Sequence, residues 1–84
     1  MIISEQTHAR AAIHKYLSSV LRLEQSLDDS DELLLSGLLD SLSVVRFVSF
    51  LELEFDCIVP PEDITVTNLA NVNAVIAYLA AKGD

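Results

Sequence analysis

The sequence has a single cysteine, few basic residues and no long apolar run. Cys57 has no partner for a disulfide within the chain. No apolar run approaches the roughly 20 residues that a membrane-spanning helix needs, and no basic segment leading into an apolar core of the signal-peptide type follows Met1. These absences predict a cytoplasmic protein that does not insert into membranes.

Basic residues are scarce, with five Lys and Arg against 13 Asp and Glu, and the formal net charge is −8. Such a charge repels phosphate backbones instead of releasing their counterions, so nucleic acid is not expected as a partner. The stretch before Ser41 has no base and is rich in acid: Glu24, Asp28, Asp29, Asp31, Glu32 and Asp40. A partner that meets this region is expected to be basic.

Length and composition predict one domain, residues 1–84, with a single modest core, since 51% of the residues are apolar. Such a chain is too small for an active site buried between two lobes. A first helix is predicted from Ser4, as its cap, to about Leu23, because apolar residues recur there at helical spacing. These are Ala9, Ile13, Tyr16, Leu17, Val20 and Leu21.

The second predicted helix runs from Ser41 to Phe55. Residues 51–55 alternate as a strand would, but the segment begins with residues that cap helices. At about 100° per residue, its apolar side chains gather within roughly a third of the circumference, which favours a helix. This stripe consists of Val44, Phe47, Val48, Leu51 and Phe55.

Two prolines stop this helix, and Pro61 suits the first position of a short helix through about Ile64. Asn71 can cap a last helix that reaches about Lys82 and is ended by Gly83. The predicted fold class is all-α: a small helical bundle of three main helices plus one short helix, with a long loop between the first and the second.

The loop, residues 24–40, has no clean period but is rich in leucine. Leu27 and the leucines between residues 33 and 39 are expected to fold it over the core, with Gly37 in a turn. Cys57 is interpreted as a small buried hydrophobe, because no basic residue lies near it. The interior is predicted to contain Val44, Phe47, Val48, Leu51, Ile64, Leu69, Val72 and Ile76.

The candidate metal sites fail on spacing. His8 and His14 are six residues apart, on opposite sides of a helix, so both are interpreted as surface histidines. Asp29, Asp31 and Asp40 fall at the first, third and twelfth places of a calcium-binding EF-hand loop, but the loop lacks its glycine and its final glutamate. No metal site is therefore predicted.

Ser41 invites an enzymatic interpretation, which its neighbours do not support. A nucleophilic serine needs a base within hydrogen-bond reach and an oxyanion hole, whereas Asp40 points about 100° away around the helix and both histidines belong to the first helix. The chain is therefore predicted not to be an enzyme. An alternative remains open, in which Asp40 and Ser41 only cap a helix of an unmodified acidic protein-interaction module.

The segments GLLDSL, VVRFVSFLELEFDCIVPPEDI and NLANVNAVIAYLAA, in this order, resemble the acyl carrier protein superfamily, which includes peptidyl and D-alanyl carrier proteins. The resemblance covers nearly the whole chain. An Asp-Ser-Leu that opens a helix ending in Glu-Phe, followed by proline, acidic residues and a final helix, is a specific order. GLLDS is most similar to free-standing carriers for amino acids or specialised acyl groups.

The resemblance implies that Ser41 receives a 4′-phosphopantetheine arm from coenzyme A through a phosphopantetheinyl transferase. The chain would then hold an acyl or aminoacyl group as a thioester, loaded by a ligase and passed to downstream transferases or synthases. A phosphodiester in the first turn of a helix meets unpaired N–H groups and the positive end of the dipole. Asp40 is expected to help hold the Mg²⁺ of the transferase, and the carrier is expected to be a monomer.

Partner enzymes are expected to bind the exposed side of the helix after Ser41. On this side several residues fall within about 80°, opposite the core stripe, with Arg46 and Glu52 at the borders. Because Phe47 and Phe50 are bulky, the cargo is expected to be small or polar and to stay outside the bundle. The predicted partner-binding residues are Asp40, Leu42, Val45, Arg46, Ser49 and Leu53.

Overall fold

The computed structural model describes residues 3–21 and 27–83. Within these residues the chain forms α1 (Ile3–Leu21), α2 (Ser41–Phe55), α3 (Val66–Leu69) and α4 (Val72–Gly83), with a 3₁₀ turn at Pro61–Asp63. The described segments contain no strand, and the predicted all-α class is confirmed. None of the described helices is long and apolar enough to cross a membrane.

The predicted helix bounds hold best for α2, which begins and ends at the expected residues. Asn71 caps α4 as predicted, since its side-chain oxygen accepts a hydrogen bond from the Ala74 N–H at 2.8 Å. Helix α1 already begins at Ile3, so Ser4 lies inside it and the prediction that Ser4 caps this helix is wrong. The predicted end near Leu23 lies outside the described residues.

The predicted short helix at residues 61–64 is a single 3₁₀ turn, after which the chain forms α3, a helix that the sequence pattern did not predict. Thr65 separates the two, because its backbone is extended and its hydroxyl oxygen accepts a hydrogen bond from the Asn68 N–H at 3.1 Å. Ile64 lies in the link between them and is 37% exposed. Its predicted place in the core is therefore wrong.

The core lies where α1, α2 and α4 meet the loop. Of the predicted interior, Phe47, Val48, Leu51, Leu69, Val72 and Ile76 are buried. Val44 is half-buried and packs at the edge. Cys57 is also half-buried, less than predicted, and burial raises the pKa of its thiol. The other buried residues are Ala9, Ile13, Leu17, Leu27, Leu33, Leu39, Val59, Val75 and Leu79.

Aromatic contacts join α1 to α2. The ring of Tyr16 stacks on Phe50 with centroids 4.2 Å apart and lies 5.9 Å from the ring of Phe47, which is fully buried. Such ring pairs contribute about 0.5–1.5 kcal/mol beyond the area that they bury. Because these rings turn one side of α2 inward, the opposite side of the helix faces solvent.

From residue 27 onward the loop lies against the bundle, as predicted. Leu27, Leu33 and Leu39 are buried, and Gly37 adopts the predicted turn with φ 83°. Leu35 is 74% exposed, so its predicted packing on the core is wrong. It lies inside the turn that the hydrogen bond from the Gly37 N–H to the Leu34 carbonyl closes.

Asp29 connects the loop to both α1 and α4. Its carboxylate accepts a hydrogen bond from Arg10 at 2.6 Å and pairs with the His14 ring, and its carbonyl accepts one from the Asn73 N–H at 3.1 Å. Arg10 also donates to the Asn73 side-chain oxygen at 2.8 Å. We call these four residues the Asp29 clamp. His8 is exposed as predicted, but His14 is half-buried in the clamp, so its interpretation as a surface histidine is wrong.

Helix α2 ends at a residue whose backbone has the left-handed conformation. Asp56 has φ 50° and ψ 56°, and its N–H donates to the Glu52 carbonyl, which closes the last turn. The Glu52 carboxylate accepts a hydrogen bond from the Val59 N–H at 2.8 Å, which ties the segment after α2 to the helix. A positive φ is unfavourable for a residue with a Cβ, so Asp56 stores strain at this end of the helix.

We predict that Asp56→Gly is more stable than Asp56→Ala by about 1 kcal/mol, because both variants remove the carboxylate and only alanine keeps a Cβ in the left-handed conformation. In a domain of this size the difference corresponds to about 4–8 °C in Tm. Thermal unfolding followed by circular dichroism measures it. Equal melting temperatures for the two variants would contradict the backbone assignment at Asp56.

We predict that Asp29→Asn lowers the free energy of unfolding at pH 7 by about 0.5–1 kcal/mol, since it removes the charge of the clamp. The His14 and Arg10 partners hold the pKa of Asp29 below its usual value of 3.8. The clamp therefore stabilises the fold above that pH, and its contribution is lost as the pH falls through the lower, folded-state pKa.

The matched control is Asp28→Asn, because Asp28 is the exposed neighbour and its carboxylate has no partner in the described part of the chain. Urea unfolding between pH 2 and pH 7 should show a gap between the two variants that closes in acid. A gap that is independent of pH, or no gap at pH 7, would refute the charge-based role of Asp29.

Candidate functional site at the start of helix α2

Ser41 is the first residue of α2, and its side chain is exposed. Asp40, the preceding residue, is the N-cap: its carboxylate accepts a hydrogen bond from the Ser43 N–H at 2.8 Å. This backbone donor holds the pKa of Asp40 below its usual range. Asp40 is therefore anionic at neutral pH and engaged with the helix, while the Ser41 hydroxyl has no hydrogen bond to any described residue.

The first turn of α2 leaves donors available beside this hydroxyl. The first intrahelical bond runs from the Val44 N–H to the Asp40 carbonyl at 2.8 Å, so the N–H groups of Ser41 and Leu42 precede the helical ladder. These N–H groups carry the positive end of the helix dipole, which favours an anion. The Asp40 carboxylate opposes this effect, since it lies at the same end.

A surface groove of about 540 Å³ opens beside Ser41. We call it the Ser41 groove. Helix α2 contributes Ser41 and its apolar neighbours, the loop contributes leucines, and the segment from Ile64 to Leu69 contributes a further part of the lining. Its lining residues are Leu34, Leu39, Asp40, Ser41, Val44, Val45, Ile64, Thr65, Val66 and Leu69.

The sequence pattern does not predict the lining from Ile64 to Val66. It places Ile64 in the core and indicates no role for Thr65 or Val66. The one signal is Thr65, a typical N-cap residue, but the Val, Thr and Asn that follow it favour a helix only weakly.

The predicted partner-binding residues share one exposed side of α2. Leu42 is 61%, Val45 59% and Leu53 86% exposed, and Arg46 and Ser49 are exposed as well. Neither Leu42 nor Val45 is covered by the loop. Glu52, which is expected at the border of this side, is half-buried, and its carboxylate accepts a hydrogen bond from the Val59 N–H. The side is thus open to contact, and its role in binding stays a prediction.

The donors, the hydroxyl and the groove suit a phosphodiester that continues into a long flexible chain. Such a group needs a hydroxyl for attachment, unpaired N–H groups for its phosphate and apolar contacts along its chain, and the groove lining is apolar except for Asp40, Ser41 and Thr65. Neither described histidine lines this groove, since His8 and His14 both lie on α1. This arrangement fits a residue that is modified by another protein.

Comparison with known proteins agrees with this geometry. The family model described as "Phosphopantetheine attachment site" matches residues 11–79, which include Ser41 and the whole lining of the Ser41 groove. A search of curated proteins gave no match. Domains of this family carry 4′-phosphopantetheine covalently, typically on a serine. The match spans most of the chain and confirms the resemblance, so the chain belongs to the phosphopantetheine attachment site family within the acyl carrier protein superfamily.

Proposed function

We propose that the chain is a carrier protein whose 4′-phosphopantetheine arm is attached to Ser41. The observation that carries this proposal is the exposed, unbonded hydroxyl of Ser41 at the first residue of α2, directly beside an apolar groove. The family match supports a phosphopantetheine carrier but does not name the residue.

The other serines near this site fit the role less well. The Ser36 hydroxyl donates to the Glu32 carbonyl and also accepts the Leu38 N–H, so it is engaged in the loop. Ser43 is half-buried in the first turn, where its N–H is capped by Asp40. Ser41 alone among these serines combines an exposed hydroxyl, a helix start and the groove.

Each residue around Ser41 has a defined part in this proposal. The Ser41 N–H and the positive end of the helix dipole stabilise the phosphodiester, at an exposed site by about 0.3–1 kcal/mol. Asp40 keeps the helix start in place and is available to the Mg²⁺ of the transferase during attachment. When bound, the arm supplies a thiol on which an acyl or aminoacyl group is held as a thioester.

The chain is proposed to carry its cargo and not to catalyse reactions on it. The Ser41 hydroxyl has no hydrogen-bonded base among the described residues, and the histidines of α1 do not line the Ser41 groove. A loading ligase and downstream transferases or synthases would make and break the bonds. These enzymes, together with the phosphopantetheinyl transferase, are the proposed partners.

The cargo is proposed to be small or polar and to remain outside the bundle. Phe47 and Leu51 are fully buried and fill the interior behind the groove, and Phe50 is occupied by its stacking on Tyr16. A long acyl chain would have to displace these side chains, and native cores are packed too densely to admit it without loss of contacts.

The exposed side of α2 is proposed as the surface that partner enzymes bind. Its apolar residues, Leu42, Val45 and Leu53, are held in water next to Ser41. Arg46 is the single base between Leu23 and Ala81, and it has no ion pair within the described residues. A partner surface with an apolar pocket, a basic rim and one carboxylate for Arg46 would match this side.

We predict that the wild-type protein gains the mass of one phosphopantetheine group when it is incubated with coenzyme A, Mg²⁺ and a broad-specificity phosphopantetheinyl transferase. Ser41→Ala should gain none, while Ser18→Ala, an exposed serine on α1, should behave as wild type. Intact-protein mass spectrometry measures this. Ser41→Ala should keep its circular dichroism spectrum, since Asp40 still caps the helix. A modified Ser41→Ala protein would refute the assignment.

We predict that Val45→Asp lowers kcat/KM of the transferase reaction by about tenfold, which corresponds to about 1.4 kcal/mol of lost contact at a central interface position. Ile58→Asp is the matched control: it is a similarly exposed apolar residue, but it lies beyond the other end of α2. Both variants should retain the wild-type melting temperature. Equal rates for the two variants would show that this side of α2 is not the interface.

A further inference from the structure

One part of the Ser41 groove is built from elements too short to be stable alone. Ile64, Thr65 and Val66 follow a three-residue 3₁₀ turn and lead into the four-residue helix α3. Isolated helices shorter than about 12 residues are marginal even with favourable sequences. The position of this part of the lining, the groove wall (residues 64–66), must therefore be set by contacts with other elements.

Asp63 makes such a contact in two directions. Its carboxylate accepts a hydrogen bond from the Tyr78 hydroxyl of α4 at 2.7 Å. Its carbonyl accepts hydrogen bonds from the Asn68 side-chain amide at 2.9 Å and from the Thr65 N–H at 3.0 Å. Asp63 thus connects α4, through the Tyr78 hydroxyl, to Thr65 in the groove wall and to Asn68 in α3.

The two ends of α3 are not held equally. At its C-terminal end, Leu69 is buried and the Ala70 carbonyl accepts the Leu33 N–H at 2.8 Å. At its N-terminal end, Ile64 is 37% and Val66 51% exposed, so burial contributes less there than at Leu69. The hydrogen bond from Tyr78 to Asp63 is a side-chain contact that connects the chain just before this looser end to α4.

The Tyr78 hydroxyl is suited to remain a hydrogen-bond donor at neutral pH. Burial, together with the hydrogen bond to Asp63, raises the pKa of its phenol well above the usual value, so the hydroxyl keeps its proton. The ring is half-buried, and the Lys82 ammonium lies 5.7 Å from its centroid. The ring is therefore fixed by contacts that do not depend on the hydroxyl.

We propose that Tyr78 is a positioning residue for the modified serine: through Asp63 it fixes the groove wall, and so determines how the arm on Ser41 lies along the surface of the chain. This inference rests on the proposed function. Tyr78 is far from Ser41 in sequence and does not line the groove, so it would act through Asp63 and not by contact with the arm.

The experiment compares Tyr78→Phe with Tyr16→Phe. Tyr78→Phe removes the donor but keeps the ring and its contact with Lys82. Tyr16→Phe makes the same chemical change in the other half-buried tyrosine, which stacks on Phe50 away from this groove and whose hydroxyl has no partner among the described residues. Asp63→Asn keeps an oxygen that can accept from Tyr78, whereas Asp63→Ala does not.

The first readout is amide hydrogen exchange of the unmodified proteins. We expect the Thr65 and Asn68 amides to exchange at least about fivefold faster in Tyr78→Phe and Asp63→Ala, while the Leu51 amide in the core keeps its wild-type rate. Tyr16→Phe and Asp63→Asn should resemble wild type. A change of equal size at all amides would indicate a loss of global stability, and it would overturn a local positioning role.

The second readout is the methyl NMR spectrum before and after attachment of the arm. In wild type, attachment should shift the Ile64 and Val66 methyl signals, and in Tyr78→Phe these shifts should fall to less than half. Shifts that are equal in the two proteins would overturn the inference while leaving the proposed function intact. Failure of wild type to accept the arm would overturn the proposed function and, with it, the role of Tyr78 toward the arm. If Tyr78→Phe does not fold, Asp63→Ala against Asp63→Asn provides the same comparison.

Discussion

Leu33 fixes the path of the long loop, and with it the place where α2 begins. Its side chain is fully buried, its N–H donates to the Ala70 carbonyl at 2.8 Å, and its own carbonyl accepts the Leu39 N–H at 2.9 Å. Leu39 is the residue before Asp40. One buried leucine therefore connects the α3–α4 junction to the chain that enters the candidate site, and the Asp29 clamp holds the same loop further upstream.

Helix α2 has two apolar sides with different roles. One side, with Phe47 and Leu51, fills the core and is stacked against α1. The other exposes Leu42, Val45 and Leu53 beside the start of the helix. A chain of this size buries only about 60% of its unfolded surface, so some apolar residues stay in water, and α2 places three of them on one side. The same rigid helix thus presents Ser41 and the surface proposed to bind partners.

The sequence was sufficient for local features and insufficient for those that join distant residues. The bounds of α2 follow from Asp40 at the cap and from a clean apolar stripe, and the cap of α4 follows from Asn71. Periodicity could not place Ile64, because the local backbone changes from a 3₁₀ turn to an extended link there. The pairings of Asp29 with His14 and of Tyr78 with Asp63 each span 15 residues and two elements, and they depend on tertiary packing that no local pattern encodes.

The most direct test of the central claim is fragmentation mass spectrometry of the tryptic peptide from Leu23 to Arg46, taken from wild-type protein after reaction with coenzyme A and a phosphopantetheinyl transferase. This peptide contains the serines of the loop and of the first turn of α2: Ser26, Ser30, Ser36, Ser41 and Ser43. The account predicts fragment ions that place the phosphopantetheine group on Ser41. A group on any other serine, or a peptide that stays unmodified, would contradict it.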